Sequence, residues 1–178
     1  MEEAKRRAKR RRWEIATGGV VLALVIAIGF VVRAGDDDKK TAKKSTTKGC
    51  VSVRDPLPKG APKVPVRIGA PPTKLVKEDL KVGNGAVVKP GATVTVDYIG
   101  VACSTGKIFD SSYKTGAPAT FPLSGVIKGW TDGIPGMKVG GQRLLGIPAD
   151  QAYGATGSPP LIGPNEPLWF VVSVKATK

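Results

Sequence analysis

Apolar and polar positions in the C-terminal part of the chain follow the short period of β-strands. Thr93–Val101 alternates β-branched residues with polar ones, which is typical of a half-buried strand. Strands are also predicted for Leu75–Val82, Gln142–Ile147 and Leu168–Lys175. The spacing therefore predicts a sheet built from short strands, with tight turns between them.

One segment of this region favours a helix instead. Val126–Ile134 is short and is bounded by Gly125 and Pro135, two residues that end helices. Tyr153–Pro167 is a Gly- and Pro-rich loop that is long enough to suggest a functional role. Many strands with one short helix predict an α+β domain, in which an antiparallel β-sheet wraps around the helix.

A long apolar run near the N-terminus predicts a different environment. Ile15–Val32 comprises 18 consecutive uncharged residues, and a helix of that length spans about 27 Å, close to the thickness of a bilayer core. Seven basic residues precede it, with Trp13 at the expected interface depth. We interpret residues 15–32 as a single transmembrane helix that leaves the N-terminus in the cytoplasm. The chain is then a single-pass protein of the cell membrane with an extracytoplasmic C-terminal domain.

The competing interpretation of this run is a cleaved signal peptide. Val32-Arg33-Ala34 provides a small-residue cleavage site. An apolar run of 18 residues is longer than a usual signal core, which favours the anchor.

Charge supports a membrane rather than nucleic acid as the partner of the N-terminal region. The chain has a net charge of +14, and residues 1–48 alone hold 13 Lys and Arg against 6 Asp and Glu. Such an excess first suggests nucleic acid or an anionic surface. Because the basic cluster directly precedes the apolar run, it is explained as a topology signal, and no nucleic-acid partner is expected.

These patterns divide the chain into five segments. Proline density excludes a helix between Cys50 and Pro72, although Val64, Val66 and Ile68 alternate as in an edge strand. The predicted segments are a basic cytoplasmic tail (1–14), the anchor (15–32), a flexible charged linker (33–49), a proline-rich extended arm (50–72) and a C-terminal domain (73–178).

Residue types that are missing narrow the chemistry. The chain has no histidine, which excludes Ser-His and Cys-His nucleophilic systems. Two cysteines far apart without histidine cannot build an ordinary zinc site, and no phosphate-binding loop is found. An enzyme with this sequence is expected to work without metal, cofactor or covalent intermediate.

The two cysteines, Cys50 and Cys103, both follow the apolar run on the side predicted to be oxidising. One interpretation is a disulfide that joins the proline-rich arm to the hairpin at Cys103. The alternative is a pair of unrelated thiols.

A series of short motifs gives the domain a family resemblance. VIKGW (Val126–Trp130) stands in the middle of the series, and the other motifs stand in fixed order around it. These are VTVDYIG (94–100), KIFDSS (107–112), PATFPLSG (118–125), GMKVGGQR (136–143), LLGIP (144–148), AYGATG (152–157) and LWFVVSV (168–174). In this order and spacing, residues 73–178 resemble the FKBP family of peptidyl-prolyl isomerases, the macrolide-binding class.

The resemblance implies an apolar pocket on a sheet wrapped around one helix. Trp130 would form its floor, and the backbone N–H of Ile127 would bind a substrate carbonyl. Tyr153 would donate its hydroxyl to a second carbonyl, and Asp110 would face the imide carbonyl. The implied walls are Tyr98, Phe109, Val126, Ile127 and Phe170, with Leu161 and Ile162 in the overhanging loop.

The chain also departs from the family pattern. Ala119 stands where the family often has an aromatic side chain, which opens one wall of the pocket. Lys114 is the nearest replacement for a basic residue that often accompanies the Asp–Tyr pair. We assign Phe121 to the core, as the inward residue of its strand.

Two functions are compatible with these features. The first is a membrane-tethered prolyl isomerase that acts on proline-containing polypeptides outside the cytoplasm, with macrolides as further ligands. The second is a peptide-binding module or holdase chaperone with little turnover. Retention of VIKGW, Asp110 and Tyr153 favours the enzyme, whereas Ala119 leaves room for the binding module.

Overall fold

The computed structural model describes residues 49–178. The cytoplasmic tail, the anchor and almost all of the linker that the sequence predicts lie outside the described residues. Within residues 49–178, no helix has the length and apolar character needed to cross a bilayer.

An antiparallel sheet of six strands and one short helix make up the domain, as the sequence predicts. Helix α1 (Lys128–Gly133) is two residues shorter at its start and one residue shorter at its end than expected. The strand order is β1-β5-β6-β2-β3, and β4 pairs with the first half of β2. The strands are β1 (Val76–Lys81), β2 (Thr93–Ala102), β3 (Ile108–Ser111), β4 (Ala119–Pro122), β5 (Gln142–Ile147) and β6 (Leu168–Thr177).

The sheet buries apolar side chains on both of its faces. Along β2, Val94, Val96 and Tyr98 point to the face that holds α1, while Ile99 and Val101 point to the other face. This division follows the two-residue period of a strand. The face opposite α1 is covered by the proline-rich arm.

Two glycines bring α1 close to β5. A Cβ atom at Gly129 would collide with the side chain of Ile147, and one at Gly133 would lie 2.8 Å from Leu145. Because these positions have no side chains, the helix backbone packs directly against the side chains of Leu145 and Ile147 in β5. Trp130 lies between them in sequence and is 4% exposed, so the close packing fixes the depth of its ring.

The arm is held by a disulfide and by backbone hydrogen bonds. Cys50 and Cys103 are covalently joined, and Cys50 also forms a β-bridge with Gly69. The expected edge strand at Val64–Ile68 is not formed, because Pro65 interrupts it and cannot donate to a ladder. Val64 is buried there, whereas Ile68 is 72% exposed.

Candidate active site

A cavity of about 430 Å³ opens between the sheet and the start of α1. Its lining is mostly aromatic and aliphatic, with one carboxylate and two phenolic hydroxyls. The lining residues are Tyr98, Phe109, Asp110, Phe121, Gly125, Val126, Ile127, Trp130, Tyr153 and Phe170. The structure therefore brings together every residue predicted for the pocket except Leu161 and Ile162.

Trp130 forms the base of an aromatic cluster. Its ring meets those of Tyr98, Phe121 and Phe170 edge to face, with centroids 5.3, 5.7 and 5.4 Å away. Edge-to-face contacts place the positive edge of one ring against the negative face of another, which stabilises the arrangement beyond simple burial. The indole Nε1–H of Trp130 is buried and has no hydrogen-bond partner among the described residues.

Tyr98 and Asp110 form the polar side of the cavity. They lie on neighbouring strands, and the Tyr98 hydroxyl donates a 2.6 Å hydrogen bond to Oδ2 of Asp110. The other carboxylate oxygen of Asp110 accepts the backbone N–H of Ser111 at 2.8 Å. Burial, followed by this hydrogen bond, raises the pKa of Tyr98 well above its ordinary value. The hydroxyl therefore remains a donor across the physiological range.

Two serines that follow Asp110 fix the backbone of Tyr98. Ser111 donates its hydroxyl to the carbonyl of Tyr98 at 3.1 Å. The hydroxyl oxygen of Ser112 accepts the Tyr98 N–H at 3.0 Å. Both serines are buried, so these bonds connect β2 to the end of β3 away from bulk water.

Tyr153 and Ile127 contribute donors elsewhere on the cavity wall. Tyr153 is 40% exposed, and burial, followed by the negative charge of Asp110, raises its pKa. Ile127 directly precedes α1 as its N-cap residue. Among the described residues, its backbone N–H donates to no other backbone group, so it is available to a bound carbonyl.

The two residues predicted for the overhanging loop have different surroundings. Leu161 is 65% exposed, whereas Ile162 is 4% exposed and belongs to the core beneath the cavity. Neither lines the cavity as the structure shows it. Their contact with a substrate remains a prediction.

Phe121 and Gly125 are the lining residues that the sequence reasoning missed. Phe121 packs against the core as predicted, but it is only half-buried and its ring also meets Tyr98 at 5.9 Å. Its position in β4, opposite Val94, turns it toward the cavity. The motif that contains both residues runs directly into VIKGW, and this adjacency is the signal that could have identified them.

The arrangement suits an apolar group flanked by carbonyl oxygens. Aromatic walls exclude water from the base of the cavity, and hydrogen-bond donors stand near its rim. Within residues 49–178, no group of three or more His, Cys, Asp or Glu is placed to hold a metal ion. The apolar base of the cavity can hold a proline ring, and the donors at the rim can bind the adjoining peptide groups.

Comparison with known proteins identifies the family of the domain. The family model for FKBP-type peptidyl-prolyl cis-trans isomerase matches residues 85–175. The chain is 50% identical over 97 residues to a probable FK506-binding protein of Corynebacterium glutamicum, covering 54% of this chain and 82% of that protein. It is 47% identical over 118 residues to an FK506-binding protein of Streptomyces anulatus, covering 65% and 95%.

A solved structure gives the same result. The crystal structure of a peptidyl-prolyl cis-trans isomerase from Pseudomonas syringae pv. tomato superposes with a TM-score of 0.54 at 38% identity, covering 58% of this chain and 75% of that one. The sequence match and the sheet wrapped around one helix both point to a single class of enzyme. The chain belongs to the FKBP-type peptidyl-prolyl cis-trans isomerases.

Proposed function

We propose that the cavity above Trp130 is where this isomerase turns the X-Pro bond. Rotation about that bond crosses a barrier of about 18–20 kcal/mol, because amide resonance holds the peptide planar. The planar imide carries more charge on its oxygen than the twisted one, so removal of water favours the twisted form. The observation that carries the proposal is the cluster of four aromatic rings at the base of the cavity, which shields the proline from water.

Each polar group at the rim has a distinct role in this proposal. The Ile127 N–H donates to a substrate carbonyl on one side of the proline, and the Tyr153 hydroxyl donates to another. Asp110, held by Tyr98, faces the imide carbonyl that rotates. Interactions that are stronger with the twisted imide than with the planar one accelerate the reaction. Leu161 and Ile162 belong to the loop that would cover the bound peptide.

Macrolide binding is proposed for the same cavity. The relatives from Corynebacterium and Streptomyces are named for FK506 binding, and this chain retains an apolar cavity with Trp130 at its base. A macrolide bound there would compete with proline peptides. Titration with FK506 in the isomerase assay tests this proposal, and non-competitive inhibition or none would contradict it.

We also propose that the domain works outside the cytoplasm, tethered by residues 15–32. The apolar run behind seven basic residues supports this topology. The Cys50–Cys103 disulfide supports it as well, because such bonds persist in oxidising compartments. The substrates would then be proteins that fold after export.

Protease accessibility tests the proposed topology. Protease added to intact cells or spheroplasts that express the chain should digest the domain while a cytoplasmic marker survives. Protection of the domain would contradict the orientation. A mature N-terminus near Gly35 would show that the apolar run is a cleaved signal, and the domain would then be released.

A further inference from the structure

The proline-rich arm lies alongside the turn that leads into β3. The Val51 N–H donates to the Cys103 carbonyl at 2.8 Å, and the Arg54 N–H donates to the Gly106 carbonyl at 2.9 Å. A Cβ atom at Gly106 would collide with the carbonyl of Ser52. The arm therefore follows the hairpin between β2 and β3 closely, although it lies outside the residues matched by the family model.

Strand β3 needs such support because its own pairing is short and irregular. It has four residues at the edge of the sheet and, within residues 49–178, pairs only with β2. Gly100 is opposite Asp110 and Val101 is opposite Ile108, so Phe109 is the extra residue of a bulge. Phe109 and Asp110 both line the cavity. Two site residues therefore depend on a short edge strand that contains a bulge.

Asp55 supplies a direct contact at the start of this strand. Its Oδ2 atom accepts the backbone N–H of Ile108 at 2.7 Å. Val51, Val53 and Asp55 are half-buried, whereas Ser52 and Arg54 are exposed, so strand-like alternation turns Asp55 toward the domain.

We propose that Asp55 is a positioning residue of the isomerase: by holding the Ile108 N–H, it fixes the bulged strand that places Phe109 and Asp110 in the cavity. This proposal rests on the roles given above to those two residues. Asp55 does not line the cavity and acts only through β3. Removal of its acceptor allows the start of β3 to shift, and a shift of a site residue by about 1 Å can lower turnover by up to roughly 100-fold.

Three substitutions at this position, made in the full chain, separate geometry from charge. Asp55→Asn keeps an acceptor oxygen in place without the charge, and Asp55→Glu keeps the charge but displaces the oxygens. Asp55→Ala removes both. We expect kcat/KM to stay near the wild-type value for Asp55→Asn and to fall by roughly tenfold for Asp55→Ala, within the range that small misplacements cause. Asp55→Glu should lie between them, and the matched control Arg54→Ala, whose side chain is exposed, should change nothing.

Two further readouts identify how Asp55 acts. Amide exchange at Ile108 should quicken in Asp55→Ala and stay slow in Asp55→Asn. In an Asp110→Asn background, Asp55→Ala should cost less than it does alone, because part of its effect passes through Asp110.

Several outcomes would overturn the proposal. Wild-type kcat/KM for Asp55→Ala, as for Arg54→Ala, would show that Asp55 does not position the site. If Asp55→Ala fails to fold, the order of Asp55→Asn and Asp55→Glu decides, and a higher kcat/KM for Asp55→Glu would contradict it. Loss of activity with Asp110→Asn but not with Asp55→Ala would refute the role of Asp55 alone. Full activity in Asp110→Asn would instead refute the role given to Asp110.

Discussion

The phenolic oxygen of Tyr98 and Oδ2 of Asp110 lie 2.6 Å apart across two neighbouring strands. This bond joins the buried wall of the cavity to its only carboxylate among the described lining residues. The bond fixes the direction of the carboxylate, and it uses the hydroxyl proton of Tyr98. Replacement of Asp110 therefore tests whether catalysis needs the carboxylate or only the apolar walls of the cavity.

Replacement of Asp110 by Val should lower kcat/KM by roughly tenfold, which corresponds to a loss of about 1.4 kcal/mol of transition-state stabilisation. The cavity keeps its apolar walls, so peptide binding should weaken less than turnover. Stopped-flow assays with proline peptides give both quantities. Asp132→Ala is a suitable control, because Asp132 is exposed and, in the part of the chain that the structure describes, pairs only with Lys128. Unchanged kcat/KM in Asp110→Val would contradict the proposed role.

Activity should be flat with pH through the mildly alkaline range. Burial and Asp110 raise the pKa of both Tyr98 and Tyr153 above the ordinary value of 10.0. The folded state holds these protons more tightly than the unfolded chain, so their contribution to stability is complete below about pH 10 and is lost as the pH rises toward the folded pKa.

The pH profile of kcat/KM between about pH 6 and 9 checks this expectation, because ordinary tyrosines are protonated there. Tyr153→Phe should lower kcat/KM without changing the shape of the profile. A decline in wild-type activity with a midpoint below about pH 9 would contradict the assignment of these hydroxyls as protonated donors.

The two buried tryptophans of the sheet domain offer a matched comparison. Trp130 is 4% exposed and lines the cavity, whereas Trp169 is 1% exposed on the opposite face of the sheet. Replacement of either by Phe should cost at least about 1 kcal/mol of stability, the central value for point substitutions in general. Only Trp130→Phe should reduce kcat/KM. An equal reduction in both variants would show that the effect reflects stability rather than the floor of the cavity.

Loss of the disulfide should loosen the arm before it unfolds the domain. The bond closes a loop across a sequence separation of 53 residues, which corresponds to roughly 4 kcal/mol on the chain-entropy model. Trp169 reports the change directly, because its Nε1–H donates to Sγ of Cys50 at 3.3 Å and disulfides quench nearby indoles.

The variant Cys50→Ser/Cys103→Ser is compared with the oxidised wild type. Urea unfolding measures the loss of stability, and tryptophan emission measures the loosening of the arm. Because the variant lacks the quenching disulfide, its Trp169 emission should exceed that of the wild type already without urea. As urea is added, Trp169 emission should change at concentrations where the sheet remains folded, since the arm that covers this tryptophan is released first. A single transition for arm and sheet, at an unchanged midpoint, would contradict this order of events.

The sequence predicts the four longer strands. The bounds of β5 agree with the prediction, and those of β1, β2 and β6 differ by at most two residues. β3 and β4 have four residues each, which is too short for alternation to be distinguished from a loop. The order of the sequence motifs, rather than periodicity, predicts the cavity residues.

Periodicity in the sequence could not predict that the arm covers one face of the sheet. The nearly continuous apolar run of β6, Leu168–Val174, indicates a strand buried on both faces, but it does not say what covers the second face. The cover is Val53, Val64 and Val66, separated by prolines. Each is a small side chain in an irregular segment, so its burial depends on contacts distant in sequence.

Turnover of X-Pro peptides by purified residues 49–178 tests the central claim most directly. The measurement is the rate of cis-to-trans conversion for several peptides that differ in the residue before proline, with Asp110→Val measured in parallel. The account predicts a proline-dependent rate that saturates with peptide and falls in the variant. Binding of the peptides without any acceleration over the uncatalysed rate would contradict it, and would leave a peptide-binding module as the function of the cavity.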